Sequence, residues 1–505
     1  MLNMAACMMR PLYTYGGLKV MKNKSIFTRQ NQTLINLFRD ARHPEKVLCI
    51  PLDYAKLTHV ALCCNGSGTV LKKAFPVKNN PEGIAFLTEV AEGICRKHHM
   101  KREHVFFGGE DCGTFSLNFI HALREQGFTV MGVNAKDAKE QRENMQASSD
   151  ELDLLGIAKL LINRRGSTAG GEPGAERALR TLTRHRKAQV RLKTATSNRI
   201  HQIVDQLVPG FLDERSSGIP PFSEAALYLM QDRFSPAQIG ARQDKALLRQ
   251  LKACGLQHAE AAIGKLKAYA RQVLAHPPEL TGLLQTSLAS EINLYRCLGA
   301  NIDQVGREIA QQLAKTPGAM LTTIRGIGIT LAAGAAAEIG PPDSQPSTRR
   351  LGSYAGIVPR TKQTGGPEKG AKTGRVSRRC NHILKDYIVQ CGNHLGQHGP
   401  ADLKEDHRRR GAHKQHADFG MARRFLRMGM RLMKNSESYV PPELRSGATL
   451  EELRAYYLGM WPKLLEKWVK SGAVHTAFDP ANPLGQWRER IEAIYEIELP
   501  LPRKK

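Results

Sequence analysis

The sequence predicts an α/β domain followed by a mainly helical remainder. Short β-rich runs alternate with helical stretches between residues 47 and 163, whereas long helical patterns dominate after residue 174. The chain has 505 residues and a hydrophobic content of 41%, which is enough for more than one hydrophobic core. We therefore expect an α/β unit and one or more helical units.

The α/β part is predicted from the order of its elements. Three antiparallel strands are expected first, at VLCIPLD, THVALCC and TVLKKAFPV, with a turn at 65–68 between the second and the third. A helix at 80–99, the strand HVFFGGED, a helix at 115–126 and the strand FTVMGVN follow, and an amphipathic helix from Asp150 closes the domain. The order βββαβαβα is that of the ribonuclease-H-like fold.

The remainder is predicted to contain two long helices. The segment 164–174 has the composition of a linker, and residues 175–208 form one helical pattern with many cations and few acids. Cations spaced along a helix can follow a nucleic-acid backbone, so Arg184, Lys187 and Arg191 are candidate phosphate contacts. A second long helix after Pro277-Pro278 has the apolar spacing of a coiled-coil-like partner.

Four carboxylates occupy positions that suit a metal site. Asp53 and Glu110 end predicted strands, and Asp150 and Asp153 stand three residues apart at the start of a helix, on one helical face. Carboxylate oxygens suit Mg²⁺ or Mn²⁺, and two such ions roughly 4 Å apart would assist phosphoryl transfer on DNA. A single acid at a strand end is more often a turn or cap residue, and the prediction rests on the whole set.

Charge and composition narrow the class of partner. The formal net charge is +27 and the pI about 9.8, which favour a polyanionic partner such as nucleic acid over a membrane surface. The longest apolar stretch, at 327–339, is shorter than the roughly 20 residues of a membrane span. The ten cysteines form no Cys-x-x-Cys pair, and no secretory signal is present, so a cytoplasmic protein is expected.

Motifs in both halves resemble those of the DEDD-type transposases of the insertion-sequence "one-ten" group, which includes pilin-gene invertases. In the first half these are LDYAK at 52–56, EDCGTF at 110–115 and SDELDLLGIA at 149–158. In the second half they are IRGIGITLAAGAAAEIG at 324–340, LGSYAGIVPRTKQTGG at 351–366 and GRVSRRCNHIL at 374–384. The resemblance extends over about residues 47–400.

The resemblance implies a RuvC-like catalytic domain that holds the four acids and a second domain that supplies a hydroxyl nucleophile. The family uses a serine, and the matching position here is Thr364, with Ser353 and Ser377 as the nearest other hydroxyls. Cys380 likewise stands where the family usually has a glycine. We therefore expect a recombinase that links itself covalently to DNA through Thr364.

A basic segment surrounds the expected nucleophile. From Arg349 to Lys434 the chain has 20 Lys or Arg and 6 acids. The RGIG element resembles a helix-hairpin-helix turn, so Arg325, Gly326 and Gly328 are candidate phosphate contacts; an ordinary turn between helices is the alternative. Further candidates are Arg349, Arg350, Arg360, Lys362, Lys372, Arg375, Arg378 and Arg379.

These interpretations give a five-part chain. The parts are a basic extension (1–46), a RuvC-like domain (47–163), a helical linker (164–316), a transposase domain (317–435) and a helical appendage (436–505). The expected partners are double-stranded DNA at element ends and target, a noncoding bridge RNA implied by the resemblance, and further copies of the chain in a dimer or tetramer in the bacterial nucleoid. Two alternatives remain, a junction resolvase that uses water and a catalytically inactive copy that only binds nucleic acid.

Overall fold

The structure is a computed structural model that describes residues 30–110, 115–142, 149–168, 174–344, 347–362, 372–377, 380–398 and 414–503. It contains two compact units, Met1–Glu172 and Pro173–Lys505. An α/β unit and a helical unit are thus confirmed, and the five-part division stays a prediction. Within the described residues no helix has the length and apolar character needed to cross a membrane.

A mixed sheet forms the centre of the first unit. Its strands are β1 (Leu48–Asp53), β2 (Thr58–Asn65), β3 (Val70–Lys78), β4 (Val105–Glu110), β5 (Thr129–Val133) and β6 (Ser167–Thr168). The strand order is β3-β2-β1-β4-β5-β6. β1, β4 and β5 run parallel, whereas β2 is antiparallel to β1 and β3, and β6 is antiparallel to β5. β6 lies in the segment for which the sequence predicted only a linker.

Helices cover both faces of this sheet. They are α1 (Gln32–Ala41), α2 (Pro81–His98), α3 (Leu117–Glu125), α4 (Ala135–Lys139) and α5 (Asp150–Ile162). The predicted order βββαβαβα is confirmed, with the short α4 inserted before the last helix. Leu48, Ile50 and Leu52 pack into a core with α2 and α3 on one face, whereas Cys49 packs into a core with α1 and α5 on the other.

The prediction that residues 1–46 form a loosely ordered extension is wrong for α1. The Asn31 side chain caps this helix by accepting hydrogen bonds from Thr33 N and Leu34 N. Leu34, Leu37, Phe38 and Ala41 are buried. The helix is too short, at 10 residues, for its apolar face to show as a period within a basic segment.

Where it is described, the second unit is helical apart from one hairpin. Its two long helices are α6 (Ala175–Leu207) and α12 (Pro278–Ala314), as the sequence predicted. They pack against each other, whereas the sequence left open whether the partner of α12 was in the same chain or in another subunit. Between them lie α7 (Glu214–Ser217), α8 (Glu224–Gln231), α9 (Pro236–Ala241), α10 (Asp244–Ala253) and α11 (Ala259–Ala270).

After a 3₁₀ helix at Pro317–Thr323, the chain forms α13 (Ile329–Ile339), α14 (Thr348–Tyr354), β7 (Pro359–Lys362), β8 (Lys372–Val376), α15 (His382–His398), α16 (Lys414–Asn435), α17 (Leu450–Lys470), α18 (Val474–Ala477) and α19 (Pro483–Tyr495). Trp461, Trp468 and Trp487 are buried in the same core as α13, α15 and α16. The C-terminal helices are therefore part of the packing of the second unit.

Candidate functional site

Asp53 and Glu110 lie at one edge of the sheet. Each is the last residue of its strand, and the two strands run parallel with Leu52 opposite Gly109. Ligands of open α/β sheets generally bind at the carboxyl ends of the parallel strands. The two acids therefore end neighbouring strands at the edge where such a site is expected.

Both acids also share a face of the sheet. Side chains alternate between the two faces of a strand. Cys49 in β1 and Phe106 in β4 pack into the core that contains α5. Asp53 and Glu110 each follow four residues later, so their side chains are on the α5 side.

The start of α5 brings the other two acids to this edge. The Ser149 side chain caps the helix by accepting a hydrogen bond from Leu152 N, and Asp150 and Asp153 belong to its first turn. A glycine lets α5 pack closely on β4, because a Cβ atom at Gly108 would come within 2.7 Å of Leu161. The sequence thus folds so that one helix start faces two strand ends.

The acids are close enough to influence each other. Burial raises the pKa of Asp53 above its ordinary value, and the charges of Asp150 and Asp153 raise it further. Burial also raises the pKa of Glu110, with smaller contributions from Asp153 and Asp53. The four predicted acids therefore lie close enough together for their negative charges to repel one another.

Arg142 supplies positive charge to this cluster. Its side chain forms an ion pair with Asp153 and is only 10% exposed. Its charge also lowers the pKa of Asp53 and of Glu110, against the larger effects that raise them. Arg142 could not be recognised from the sequence, because it belongs to a charged stretch between β5 and α5 that has no distinctive pattern.

The donor set suits a hard divalent cation by its chemistry, since it consists of carboxylate oxygens that repel one another. As the side chains stand, no three Asp, Glu, His or Cys residues among those described are close enough together to hold a metal ion. Asp153 is instead paired with Arg142. A cation at Asp153 would compete with Arg142 for the charge of that carboxylate.

The hairpin of β7 and β8 contains part of the second candidate site. Its strands pair Thr361 with Thr373 and Lys362 with Lys372. Arg360 lies in β7, and Arg375, in β8, is exposed. The expected nucleophile Thr364 lies outside the described residues, as do Arg378 and Arg379.

The two other hydroxyls near this segment are described. Ser353 is exposed on α14 and donates a hydrogen bond to Arg349 O at 3.1 Å. Ser377 follows β8 and is half-buried. Cys380 is half-buried, and its Sγ lies 2.6 Å from where a Cβ atom at Gly356 would stand.

The RGIG element forms a tight turn before α13. Arg325 is exposed, and Gly326 has a φ of +82°, a conformation that favours glycine. Gly328 is the N-cap of α13, and no side chain caps it. The turn thus presents an exposed cation next to the start of a helix.

The cations of α6 have partners within the second unit that the sequence did not reveal. Arg184 donates two hydrogen bonds to Glu338 in α13, and Lys187 forms an ion pair with Asp386 in α15. Arg191 is exposed and helps to lower the pKa of Asp386, although burial alone would raise it. Arg184 and Lys187 therefore neutralise acids from other helices.

Comparisons with known proteins agree with the motifs. A DEDD-type IS110 family model described as "Transposase" matches residues 50–209, and a second, described as "Transposase IS116/IS110/IS902 family", matches residues 318–408. The chain is also similar to the transposase for insertion sequence element IS1328 of Yersinia enterocolitica, with 36% identity over 116 residues. That match covers 23% of this chain and 33% of the relative's length.

Proposed function

We propose that this chain, which belongs to the IS110 transposase family by the two models that match residues 50–209 and 318–408, cuts and rejoins DNA at the ends of an insertion sequence. The observation that carries the proposal is the cluster of Asp53, Glu110, Asp150 and Asp153 at one sheet edge, inside the first matched domain. The chemistry would be metal-assisted phosphoryl transfer.

We further propose that the first unit has a ribonuclease-H-like, RuvC-like fold. The support is its topology: three antiparallel strands are followed by two strands parallel to β1, in the order β3-β2-β1-β4-β5. The acids end β1 and β4 and begin a helix on the same face. This combination is what the sequence pattern predicted for a nuclease of that fold.

Asp53, Glu110, Asp150 and Asp153 would hold Mg²⁺ or Mn²⁺, in our proposal two ions. Bound ions would polarise the scissile phosphodiester and neutralise charge on the attacking and leaving oxygens. The chain contributes the positions of the acids, which are set by two parallel strands and a capped helix. Elements of this kind place side chains more rigidly than loops do.

Thr364 would be the nucleophile, by its match to the family's serine. Its hydroxyl would lose a proton, its oxygen would bond to phosphorus, and the bond from phosphorus to one deoxyribose oxygen would break. That oxygen would take up a proton and leave as a free hydroxyl end. The β-methyl group of threonine restricts χ1 and crowds the approach, so we expect slower attack than from serine at the same position.

The proposed partners follow from charge and kinship. The formal charge of +27 favours nucleic acid, and Arg325, Arg375 and Arg191 are exposed candidates for contact with double-stranded DNA. A bridge RNA, a dimer or tetramer and a cytoplasmic, nucleoid-associated location are proposed from kinship with the family. Two strands on two duplexes must be cut, and more than one copy of the chain suits that task.

The experiment that tests the proposal is a search for a covalent protein–DNA adduct. Purified protein would be incubated with supercoiled DNA that carries its element ends, with the flanking RNA and Mg²⁺, and resolved on a denaturing gel. We expect an adduct that persists in Ser377→Ala and Ser353→Ala. It should be lost in Thr364→Ala, in Asp53→Asn and after chelation of the metal.

Other outcomes would identify one of the rivals. Nicked DNA without any adduct, unchanged in Thr364→Ala, would mark a metal-dependent resolvase that uses water. Intact binding without cleavage under all conditions would mark an inactive copy. An adduct that moves to Ser377 would refute Thr364 as the nucleophile and leave the rest of the proposal standing.

A further inference from the structure

A half-buried lysine from the C-terminal part of the chain holds the RGIG turn. Lys467, in α17, donates hydrogen bonds from Nζ to three backbone carbonyls, Thr322 O at 2.7 Å, Ile324 O at 3.3 Å and Ile327 O at 2.8 Å. An ammonium group has three donors and no acceptor. All three donors are therefore used on a single turn of main chain.

The dipoles of the main-chain carbonyl groups balance the positive charge of the Lys467 ammonium group. Burial lowers the pKa of Lys467 to about 8. Its three hydrogen bonds all run to main-chain carbonyls. The neighbouring Trp468 is fully buried and donates from Nε1 to Thr322 Oγ1 at 3.2 Å, which fixes α17 against the same turn. A cluster of inward-facing carbonyls with a compact cation at its centre is the arrangement of a monovalent cation site.

The carbonyl directions also determine where the amide groups point. In a planar trans peptide the C=O and the following N–H point in opposite directions. Because Ile324 O and Ile327 O point at Lys467, the N–H groups of Arg325 and Gly328 point away from it. Neither of these N–H groups donates to a backbone carbonyl within the part of the chain that is described. Both are therefore directed away from the lysine, on the turn that also presents the exposed Arg325 side chain.

We propose that the turn from Thr322 to Gly328 is a cation site that the chain fills with its own Lys467 ammonium group, and that Lys467 positions the turn for a DNA phosphate. The cation site itself depends only on the three carbonyl contacts of Lys467. The positioning role of Lys467 rests on the proposed function, because it requires the turn to contact DNA. Lys467 is a positioning residue, since its ammonium group is directed inward and acts on DNA only through the turn.

If the turn is a cation site, the stability of a variant without Lys467 should depend on which cation is in solution. Packing between helices alone does not predict such a dependence. Lys467→Ala would leave three carbonyls around a gap that K⁺ or NH₄⁺ can enter, whereas Lys467→Met would fill much of the gap without a charge. Lys463→Ala is the matched control, because Lys463 is exposed and lies about one turn earlier on the same helix. All variants would be made in the full chain.

Thermal unfolding would be followed by tryptophan fluorescence in choline chloride and in KCl or NH₄Cl at equal ionic strength. We expect wild type and Lys463→Ala to unfold at the same temperature in all three salts. Lys467→Ala should unfold at a lower temperature in choline chloride and recover in KCl or NH₄Cl. Lys467→Met should be destabilised in every salt without recovery.

DNA affinity would be measured in the same salts. We expect Lys467→Ala to bind roughly tenfold more weakly than wild type in choline chloride, a factor that corresponds to about 1.4 kcal/mol, and to recover in KCl. Recovery of stability with unchanged DNA affinity in every variant would keep the cation site and refute the contact between the turn and DNA. An unfolding temperature of Lys467→Ala that does not depend on the cation would overturn the inference.

If Lys467→Ala does not fold, hydrogen exchange on Lys467→Met decides the question. We expect faster exchange in the peptide that contains Ile324 and Ile327, whose N–H groups donate to Leu321 O and Ile324 O, with the rest of the core of the second unit unchanged. Exchange equal to that of wild type in this peptide would overturn the inference, because the turn would then keep its shape without the ammonium group.

Discussion

Arg184 donates two hydrogen bonds, of 2.7 and 3.0 Å, to the carboxylate of Glu338, whose side chain is fully buried. Asn381 donates a third, of 2.9 Å, to the same carboxylate. Burial alone would raise the pKa of Glu338, but the hydrogen bonds from Arg184 and Asn381 hold that pKa below its ordinary value. One carboxylate therefore joins α6 and α13 to the start of α15.

Glu338→Gln should destabilise the second unit strongly. The amide nitrogen of glutamine would face a donor from Arg184 or Asn381, and the arginine would lose its counter-charge. We expect a loss of about 3 kcal/mol in the free energy of unfolding, measured by tryptophan fluorescence in urea. Glu291→Gln is the control, because its partner Arg199 lies on the surface, and it should have little effect. Equal losses in the two variants would contradict this account.

The two units should respond to acid in opposite directions. The pKa of Glu338 is lowered, so its stabilisation is present above the ordinary carboxylate pKa and is lost as the pH falls through the lowered value. The pKa values of Asp53 and Glu110 are raised, so their contribution is present at low pH and is lost as the pH rises through the raised values. Mild acid should therefore stabilise the metal-free first unit relative to the second.

The pH dependence of stability can be measured for each unit separately, because each unit contains its own probe of unfolding. All three tryptophans belong to the second unit, whereas Cys49, Cys63 and Cys64 are buried in the first. Thiol labelling read by mass spectrometry would follow the first unit and fluorescence the second. Asp53→Asn should reduce the acid response of the first unit, and labelling that accelerates in mild acid would refute the prediction.

Arg142→Ala should tighten binding of Mn²⁺ to the four acids. The arginine pairs with Asp153 and competes with a metal ion for its charge. We expect calorimetry to show roughly three- to tenfold tighter binding. This is the size of effect expected when one positive charge is removed from a partly solvated site. Arg165→Ala is the control, because Arg165 pairs with Asp137. Weaker binding in Arg142→Ala would mean that the arginine orients Asp153 for the metal.

Gly334→Ala should disrupt the contact between α13 and α15. A Cβ atom at this position would come within 2.2 Å of the Tyr387 ring. Because the ring is packed in the core, we expect a loss of about 2 kcal/mol in the free energy of unfolding, measured in urea. Gly306→Ala in α12 meets open space and should stabilise by about 0.5–1 kcal/mol. If Gly334→Ala leaves the free energy of unfolding unchanged, then α13 and α15 can move apart without loss of stability.

Much of the first unit could be predicted, because the sequence patterns that indicate its strands and helices lie within short segments. Strand alternation around Asp53 and Glu110 and the capped, amphipathic start of α5 are features of short segments, and the structure confirms the order of these elements. The short helices α1 and α4 were missed, since ten and five residues are too few for a clear period.

Contacts between distant segments could not be predicted. Arg184 and Lys187 looked unopposed on α6 because their acids, Glu338 and Asp386, come from helices about 150 and 200 residues later. Arg142 reaches Asp153 across residues without a recognisable pattern. Lys467 looked like one of many surface cations, because nothing in a helical sequence tells which lysine will meet three carbonyls.

The hydrogen bond from Lys467 to Ile327 O joins residues 140 positions apart. During synthesis, the RGIG turn therefore leaves the ribosome well before the lysine that holds it. A nascent chain that stops before α17 would keep Asp53, Glu110, Asp150, Asp153 and Thr364 but would lack the internal cation. The turn can therefore be filled by the chain's own ammonium group only after α17 has been made, and before that point a dissolved cation such as K⁺ would have to take its place.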